Sequence, residues 1–300
     1  MEVVIAGAGS IGMLIGSFLQ EAGMKVTFYT RRTDQAEALK REGIQRINLD
    51  RSRSVFQVDA THDIQQLSKD ALWVIGSKYS GVQNILAEME SAQVTGPVLF
   101  IQNGIAHLEI AYNTKWPHIA FATVEHGARR LDDRTVSHNG VGPMTIAVGR
   151  GDRKAFQCLS EADADTFPIT FQNDPVQILM RKVLINCMIN PLTALLQVKN
   201  GELVENRYAL SLFQQLYDEL MKAFPEFRAV LPYEAVVGVC RQTASNHSSM
   251  LGDRMAGRPM EIETIVTAVI RKAEEHDESL FLLKALEQLL IAVDEGGEGQ

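Results

Sequence analysis

Cysteine is scarce in this chain. Cys158, Cys187 and Cys240 are the only three in 300 residues, far apart and with no C-x-x-C pair. An odd, scattered set offers no zinc site and fits a reducing cytoplasm better than a disulfide framework. The seven histidines show neither H-x-x-x-H nor H-E-x-x-H spacing, so no metal site is expected. Basic charge is also short. With 29 Lys and Arg against 37 Asp and Glu, the net charge of -8 argues against nucleic acid or an anionic membrane as main partner. No uninterrupted apolar run reaches the ~18 residues that span a bilayer. The N-terminus enters a strand-like run at once, without a signal-peptide pattern. These absences lead to the expectation of a cytoplasmic globular protein.

What the chain does have is a change of period partway along. Up to about residue 172, short β-rich runs ("EVVIAG", "KVTFYT", "ALWVIGS", "PVLFIQN", "HIAFATV") alternate with helical stretches. One is "SIGMLIGSFLQEAG", closed by Gly23. Another is "TDQAEALKREG", with Thr33 expected as N-cap and Gly43 as terminator. Such alternation implies βαβ units and a Rossmann-like, doubly wound parallel sheet. "TVSHNGVGPMTIAVG" stands apart as two β-rich arms around Asn139–Gly140, which predicts an antiparallel hairpin. From residue 173 to 300 only helical periods follow, so a C-terminal all-α domain is expected, ending in a frayed "DEGGEGQ" tail. A cleft between two such domains is a common place for a ligand.

"IAGAGSIGMLIG" holds G-x-G-x-x-G at Gly7, Gly9 and Gly12. The pattern is weak alone, but here it directly follows a strand and opens a helix. Gly7 then allows the tight turn, Gly9 lets a pyrophosphate approach the backbone, and Gly12 lets helix pack on strand. NAD sites tend to place an acid at the end of the next strand, where this chain has Thr30, Arg31 and Arg32. A guanidinium suits the 2′-phosphate of NADP, so NADPH is the expected cofactor. In the alternative, both arginines are merely exposed and Asp34 serves NAD.

"RKVLINCMINPLTALL" is apolar almost all the way round, yet Lys182, Asn186 and Asn190 form one polar stripe at i, i+4 and i+8. A buried ammonium is costly unless paired. The stripe is either a set of internally satisfied core groups or the wall of a wet cleft. Opposite a nicotinamide, Lys182 could protonate the oxygen of a ketone under hydride attack. Pro191 is expected to kink this helix.

Over essentially its whole length the chain resembles the ketopantoate reductase family. The matching features are the G-x-G-x-x-G, Arg31, Ser77–Lys78, Gln102–Asn103–Gly104, "HGARR" at His126–Arg130, "RKVLINCMINPLTA", "NGEL" at Asn200–Leu203, "NHSSML" at Asn246–Leu251 and "EIE" at Glu261–Glu263. The resemblance implies reduction of 2-dehydropantoate (ketopantoate) to (R)-pantoate by NADPH, on the route to pantothenate and coenzyme A. It makes Lys182 the general acid. It implies that Asn186, Asn190, Asn200, Asn246 and Ser249, with Lys182, hold the substrate. The cofactor would touch Gly7, Ala8, Gly9, Ser10, Ile11 and Gly12, with Arg31, Lys78, Asn103, the backbone of Ala128, and Glu261, which would bind the nicotinamide ribose and help order the site.

Each assignment has a plainer counterpart. Glu261 could cap the helix after Pro259, Asn200 could be a turn residue before Gly201, Ser249 could cap a short helix, and Lys78 could be a solvated lysine. The chain also departs from the family pattern. Gly81 stands where a Gln often touches the cofactor, and "TVEHGARR" carries an extra residue near Ala128. Two rival functions are a different NADP-dependent 2-keto or 3-hydroxy acid oxidoreductase on the same scaffold, and a non-catalytic NADPH sensor. A sensor would not need Lys182, Asn186, Asn190 and Glu261 together. Apolar helical faces either close the core or join two copies, which leaves a homodimer open.

Overall fold

Strand β1 (Glu2–Ala6) sits in the middle of a sheet, and Val3 to Ala6 are fully buried. A strand covered on both faces reads as a continuous apolar run, as this one does. Helix α1 (Ser10–Glu21) follows it, then β2 (Lys25–Tyr29) and α2 (Thr33–Glu42). A small hairpin, β3 (Ile44–Ile47) and β4 (Arg53–Phe56), precedes β5 (Asp59–Thr61) and β6 (Leu72–Ile75). Next come α3 (Val82–Ser91), β7 (Val98–Phe100), α4 (His107–Tyr112) and β8 (Ile119–Val124). Strands β9 (Gly127–Arg130), β10 (Thr135–Gly140), β11 (Met144–Arg150) and β12 (Ile169–Gln172) complete the unit. This computed structural model describes residues 1–297.

The main sheet has the order β12-β11-β8-β7-β6-β1-β2-β5. Its strands pair in parallel from β5 to β8, while β11 runs antiparallel to β8. The strand order reverses at β1, between β2 and β6. In open α/β sheets a ligand binds beyond the carboxyl ends of the strands at such a reversal. Gly7 and Gly76 lie there.

Two local expectations need correction. Thr33 is the first helical residue of α2, and Arg32 holds the N-cap position without a side-chain cap. The arms around Asn139–Gly140 do not form a hairpin either. β10 belongs to a second sheet of order β4-β3-β10-β9, whereas β11 joins the main sheet against β8. The local turn pattern was outcompeted by better partners on each side. The true hairpin is β9–β10, whose turn is held by Asp132 accepting from the amides of Arg134 and Thr135. Gly142, Pro143 and the β8 end make the crossing between sheets, with Glu125 N–H donating to the Pro143 carbonyl.

Arg46 of β3 ties the small sheet to α1. It is only 5% exposed, its guanidinium lies 3.9 Å from the Phe18 ring centre, and it pairs with Glu21 at 2.8 Å. Arg suits this place because a planar cation can stack and pair at once.

The chain divides into two compact units, one of Met1–Gln102 with His107–Leu179, the other of Asn103–Ala106 with the chain from Met180 onward. The second is helical. It takes most of α5 (Pro175–Leu196), then α6 (Glu202–Glu205), α7 (Arg207–Ala223), α8 (Tyr233–Gln242) and α9 (Ser249–Met255). A π-helical turn at Glu263–Thr267 leads into α10 (Ala268–Glu274), and α11 (Phe281–Gly297) ends the described chain. By length and composition α5 would pass as a membrane span, but 72% of its most apolar window is buried, as in a core helix. It continues through Pro191. Its last carbonyls, of Ala194 and Leu195, receive the Arg254 guanidinium. Glu219 of α7 caps α11 by accepting from the amides of Leu282 and Leu283 at 2.8 and 3.0 Å. Part of the supposed frayed tail is therefore helix, and Asp294 accepts from the Met260 amide. Glu298 to Gln300 lie outside the described residues.

Two histidines of the first unit are locked in the core. His107 is fully buried against Phe100 and Phe121 with both ring nitrogens unpartnered, and burial pushes it down to about 3. His126 stacks on Phe167 beside His138, and burial chiefly takes it to about 4. An unfolded histidine binds its proton near pH 6.5, whereas these stay neutral in the fold. Stability is thus unaffected above that pH and falls as the pH drops from about 6.5 toward 4. His107 alone should cost about 2 kcal/mol by pH 5. Thermal melting across pH 8 to 5 checks this, and His107→Phe should flatten the acid side of the profile. An unchanged acid slope in that variant would contradict the assignment.

Candidate active site

The loop after β1 is built around missing Cβ atoms. Gly7 has φ +117°, and a Cβ there would lie 2.7 Å from the Ser77 nitrogen, so the turn requires glycine twice over. A Cβ on Gly12 would overlap the Gly7 carbonyl oxygen. Gly9 is different. The nearest atom to a Cβ there is the Gly76 oxygen at 3.9 Å, so the protein itself leaves that space open. Helix α1 begins with Gly9 as an N-cap that has no capping side chain and no acid in the first turn. The amides of Ser10, Ile11 and Gly12 therefore have no intrahelical acceptor, at the positive end of a twelve-residue helix. Open space beside uncapped amides fits a pyrophosphate. Ala8 and Ile11 complete the loop, and Ala8 packs into the core.

Two buried amides, Gln35 and the Gln102 of "QNG", hold this loop and the turn that faces it. Gln35 donates to the carbonyls of Ala8 and Asp133 at 3.0 Å each. Gln102 donates to the carbonyls of Ile75 and Ser77 at 2.7 and 3.0 Å, fixing the turn that faces Gly7. The signal for Gln35 is slight, since a glutamine in a helix carries no pattern of its own, while Gln102 is marked only as part of the "QNG" shared with the family. Arg31 is exposed beyond β2 with no ion pair among the described residues. Arg32 points elsewhere and pairs with Asp34 at 2.6 Å and Asp133 at 2.5 Å. The Arg32 guanidinium holds the Asp34 carboxyl below its usual range. Lys78 is exposed at the start of a short turn ending at Gly81, and Ala128 lies on β9, half-buried against the core of its own unit.

In the helical unit the structure joins three predicted residues directly. Lys182 Nζ donates to Asn103 Oδ1 at 2.9 Å, and Asn103 Nδ2 donates to Glu261 Oε2 at 3.1 Å. The amide thus stands between an ammonium and a carboxylate, accepting from one and donating to the other. Backbone contacts fix the distance. Ile105 N–H donates to the Thr264 carbonyl at 3.3 Å, within the π-helical turn that follows Glu261. Gly104, at φ +79°, presses so closely on that carbonyl that a Cβ would overlap it. Cys187 donates to the next carbonyl, Ile265, so one turn of α5 and the π turn are tied together. π turns recur where a helix must be re-aimed at a working group. Cys187 is fully buried and burial pushes its thiol well up, which makes it a packing residue with no nucleophilic role.

The rest of the stripe behaves in part as expected. Asn186 is half-buried, and Asn190 is buried with Nδ2 reaching Ser249 Oγ at 3.4 Å. Ser249 does not cap α9. Ser248 does so, accepting from Leu251 N–H and sharing a 2.7 Å bond with Thr193. Ser249 is left exposed with its hydroxyl turned to the stripe. Asn200 is buried rather than a plain turn residue, and it bonds Thr243. Its backbone N–H donates to the Asn246 carbonyl at 3.1 Å, and Gly201 N–H donates to that of Ala244 at 3.2 Å. A Cβ on Gly201 would lie 2.7 Å from the Ala244 Cβ. These contacts clasp Asn200 to the Asn246 segment, though the Asn246 side chain itself is exposed.

A Rossmann-like sheet with a glycine loop at its point of reversal, followed by a helical unit carrying a lysine–amide–carboxylate array, defines a nucleotide-dependent oxidoreductase fold. A profile described as ketopantoate reductase PanE/ApbA matches residues 3–151, and one for the C-terminal part of that family matches residues 174–294. The chain is 34% identical over 299 residues to the 2-dehydropantoate 2-reductase of Listeria monocytogenes, covering 98% of this chain and 97% of that one. The crystal structure of the probable 2-dehydropantoate 2-reductase from Bacillus subtilis superposes with a TM-score of 0.87 at 30% identity, covering 98% of this chain and all of that one. D-mandelate dehydrogenase with NADH and anilino(oxo)acetate shares the fold, with a TM-score of 0.85 at 21% identity over 99% of this chain and 100% of that chain. The chain belongs to the ketopantoate reductase family.

The contrast between two glycines yields a test. Gly12→Ala should lower the melting temperature clearly, because its Cβ meets backbone. Gly9→Ala should leave melting nearly unchanged and weaken NADPH binding by about tenfold or more, a loss of roughly 1.4 kcal/mol. Titration of NADPH fluorescence with a parallel melting curve reads both. A Gly9→Ala protein that binds NADPH normally would show that the open space serves nothing.

Proposed function

We propose that this protein reduces the ketone of 2-dehydropantoate to the alcohol of (R)-pantoate, with NADPH as hydride donor and Lys182 as proton donor. The observation that carries the reading is the Lys182–Asn103–Glu261 array, with Lys182 on the same polar stripe as Asn186 and Asn190. The loop Gly7–Gly12 and the first amides of α1 would hold the pyrophosphate, with Lys78, Asn103, the backbone of Ala128 and Glu261 as further contacts. Arg31 would read the 2′-phosphate, while Asp34, already engaged by Arg32, is poorly placed to serve an NAD ribose.

A dihydronicotinamide held there would supply the hydride for the ketone carbon. As charge grows on the ketone oxygen, the Lys182 ammonium stabilises it and passes over one proton, which completes the alcohol. Asn103 holds the ammonium by its acceptor end, and Glu261 holds Asn103 by its donor end. Asn186, Asn190, Asn200, Asn246 and Ser249 grip the carboxylate and hydroxyl of the substrate. We place the protein in the cytoplasm, acting on a small molecule without nucleic acid or membrane, in line with its acidic charge. A homodimer remains a proposal from exposed apolar side chains such as Phe281 and Leu289.

Loss of NADPH absorbance on adding ketopantoate tests the activity, and a panel of other 2-keto acids ranks the substrate. Lys182→Ala should lower kcat by on the order of 10²–10⁴, the usual worth of a positioned general acid. It should remain folded and bind NADPH. Turnover within a few-fold of wild type would remove Lys182 from this role. Arg31→Ala should raise KM for NADPH and barely change that for NADH, whereas equal losses would deny Arg31 the 2′-phosphate.

A further inference from the structure

The end of β2, the glycine loop and the first turn of α2 meet within hydrogen-bond distance. Gly7 N–H donates to the carbonyl of Tyr29, the last residue of β2, at 2.9 Å, and Gln35 of α2 reaches the Ala8 carbonyl at 3.0 Å. Charges on Arg31, Arg32 and Asp34 therefore stand beside that loop, and all three residues are exposed. Arg32 and Asp34 are locked together. Arg32 Nε donates to Asp34 Oδ1 at 3.0 Å, and Arg32 Nη2 donates to Asp34 Oδ2 at 2.6 Å. The other Nη2 proton goes to Asp133 Oδ2 at 2.5 Å. Asp34 Oδ1 also accepts from the Gln35 N–H at 2.9 Å. A carboxylate oxygen accepts about two hydrogen bonds, so Oδ1 is saturated and Oδ2 has room for one more. The fork is held from behind at both ends. Thr30 Oγ1 donates to the Arg32 carbonyl at 2.8 Å, and Gln35 Nε2 donates to the Asp133 carbonyl at 3.0 Å. A lone exposed ion pair contributes little, but a bidentate fork inside an anchored network keeps its geometry.

We infer that Arg32 is a specificity-determining residue for the cofactor, which acts by masking Asp34, with Asp133 of the β9–β10 turn as the anchor of the mask. An acid beside the adenosine ribose favours NAD, because it accepts from a ribose hydroxyl and repels a 2′-phosphate. Asp34 is the first acid after β2 and would act in that way if bare. With the fork closed, its charge is countered and its acceptor sites are nearly filled. Arg31 is then the charge left to the phosphate, and Arg32 works through Asp34 rather than on the phosphate itself. This rests on the NADPH reading above, and adds to it a reason why an acid so close to the loop does no harm.

NADPH and NADH differ only in the 2′-phosphate, so the ratio of their Kd values isolates what that phosphate meets. Titrating the fluorescence of each reduced cofactor at low salt reads the ratio without turnover. Arg32→Ala should shift it toward NADH by about fivefold, chiefly through weaker NADPH binding, since a bared carboxylate faces the phosphate. The shift should shrink as salt is added. Arg32→Ala combined with Asp34→Asn should return the ratio to within about twofold of wild type, because no carboxylate is left to mask. Melting should change little in either variant, as both side chains are exposed. A double variant as weak for NADPH as Arg32→Ala alone would mean that Arg32 touches the phosphate itself, and would overturn the inference. An Arg32→Ala protein with the wild-type ratio would overturn it too. A wild type that prefers NADH would instead overturn the NADPH reading, and the mask with it.

Discussion

A half-buried ammonium decides what can surround it, and the helical unit is arranged about Lys182. Removing a lysine from bulk water is tolerable only where oxygen atoms stand ready for its protons. Asn103 supplies one at 2.9 Å, yet Asn103 comes from a loop 79 residues earlier in the chain. Bringing that loop into the helical unit takes the positive φ of Gly104, the Ile105 bond to Thr264, and a π turn that aims the Thr264 carbonyl at the loop. Together they explain why Asn103–Ala106 group with a unit to which their neighbours in sequence do not belong.

The glycine loop after β1 separates, within six residues, glycines that packing requires from one that it does not. Gly7 and Gly12 are required by backbone that comes too near for any side chain, whereas Gly9 faces open space. Gln35 and Gln102, both buried, use their amide protons to pin the carbonyls on either side of that space. The loop is therefore rigid because of residues outside the motif. A motif read in isolation shows the contacts a ligand needs but not what holds them still.

How much was legible follows from this. Strands β1, β2, β6, β7 and β8 and the long helices could be read because period and burial agree over several turns. The polar stripe was legible because Lys182, Asn186 and Asn190 break an otherwise apolar helix. The supposed hairpin at Asn139–Gly140 was misread because turn propensity is local, while β10 and β11 are claimed by different sheets. Helix α9 shows in the sequence only as a short helix that Ser249 could cap, and it forms one residue off that reading, around the Ser248 cap and the Asp253–Arg258 pair. The Lys182–Asn103 link is a long-range contact that no spacing can announce. The two residues came together in the sequence reading only through the family resemblance.

The same logic of polarity governs two amides of the helical unit, Asn103 and Asn200. An asparagine has a donor end and an acceptor end that differ little in shape, so packing alone cannot say which end faces a ligand. At Asn103 the ambiguity is removed by charge, because the ammonium of Lys182 can bond only the oxygen and the carboxylate of Glu261 only the nitrogen. At Asn200 it is removed by a single hydroxyl whose proton is already committed to the Val239 carbonyl. In each case a neighbouring side chain decides which end of the amide is left over. The chemistry of the unit thus depends as much on residues that orient its polar groups as on the polar groups themselves.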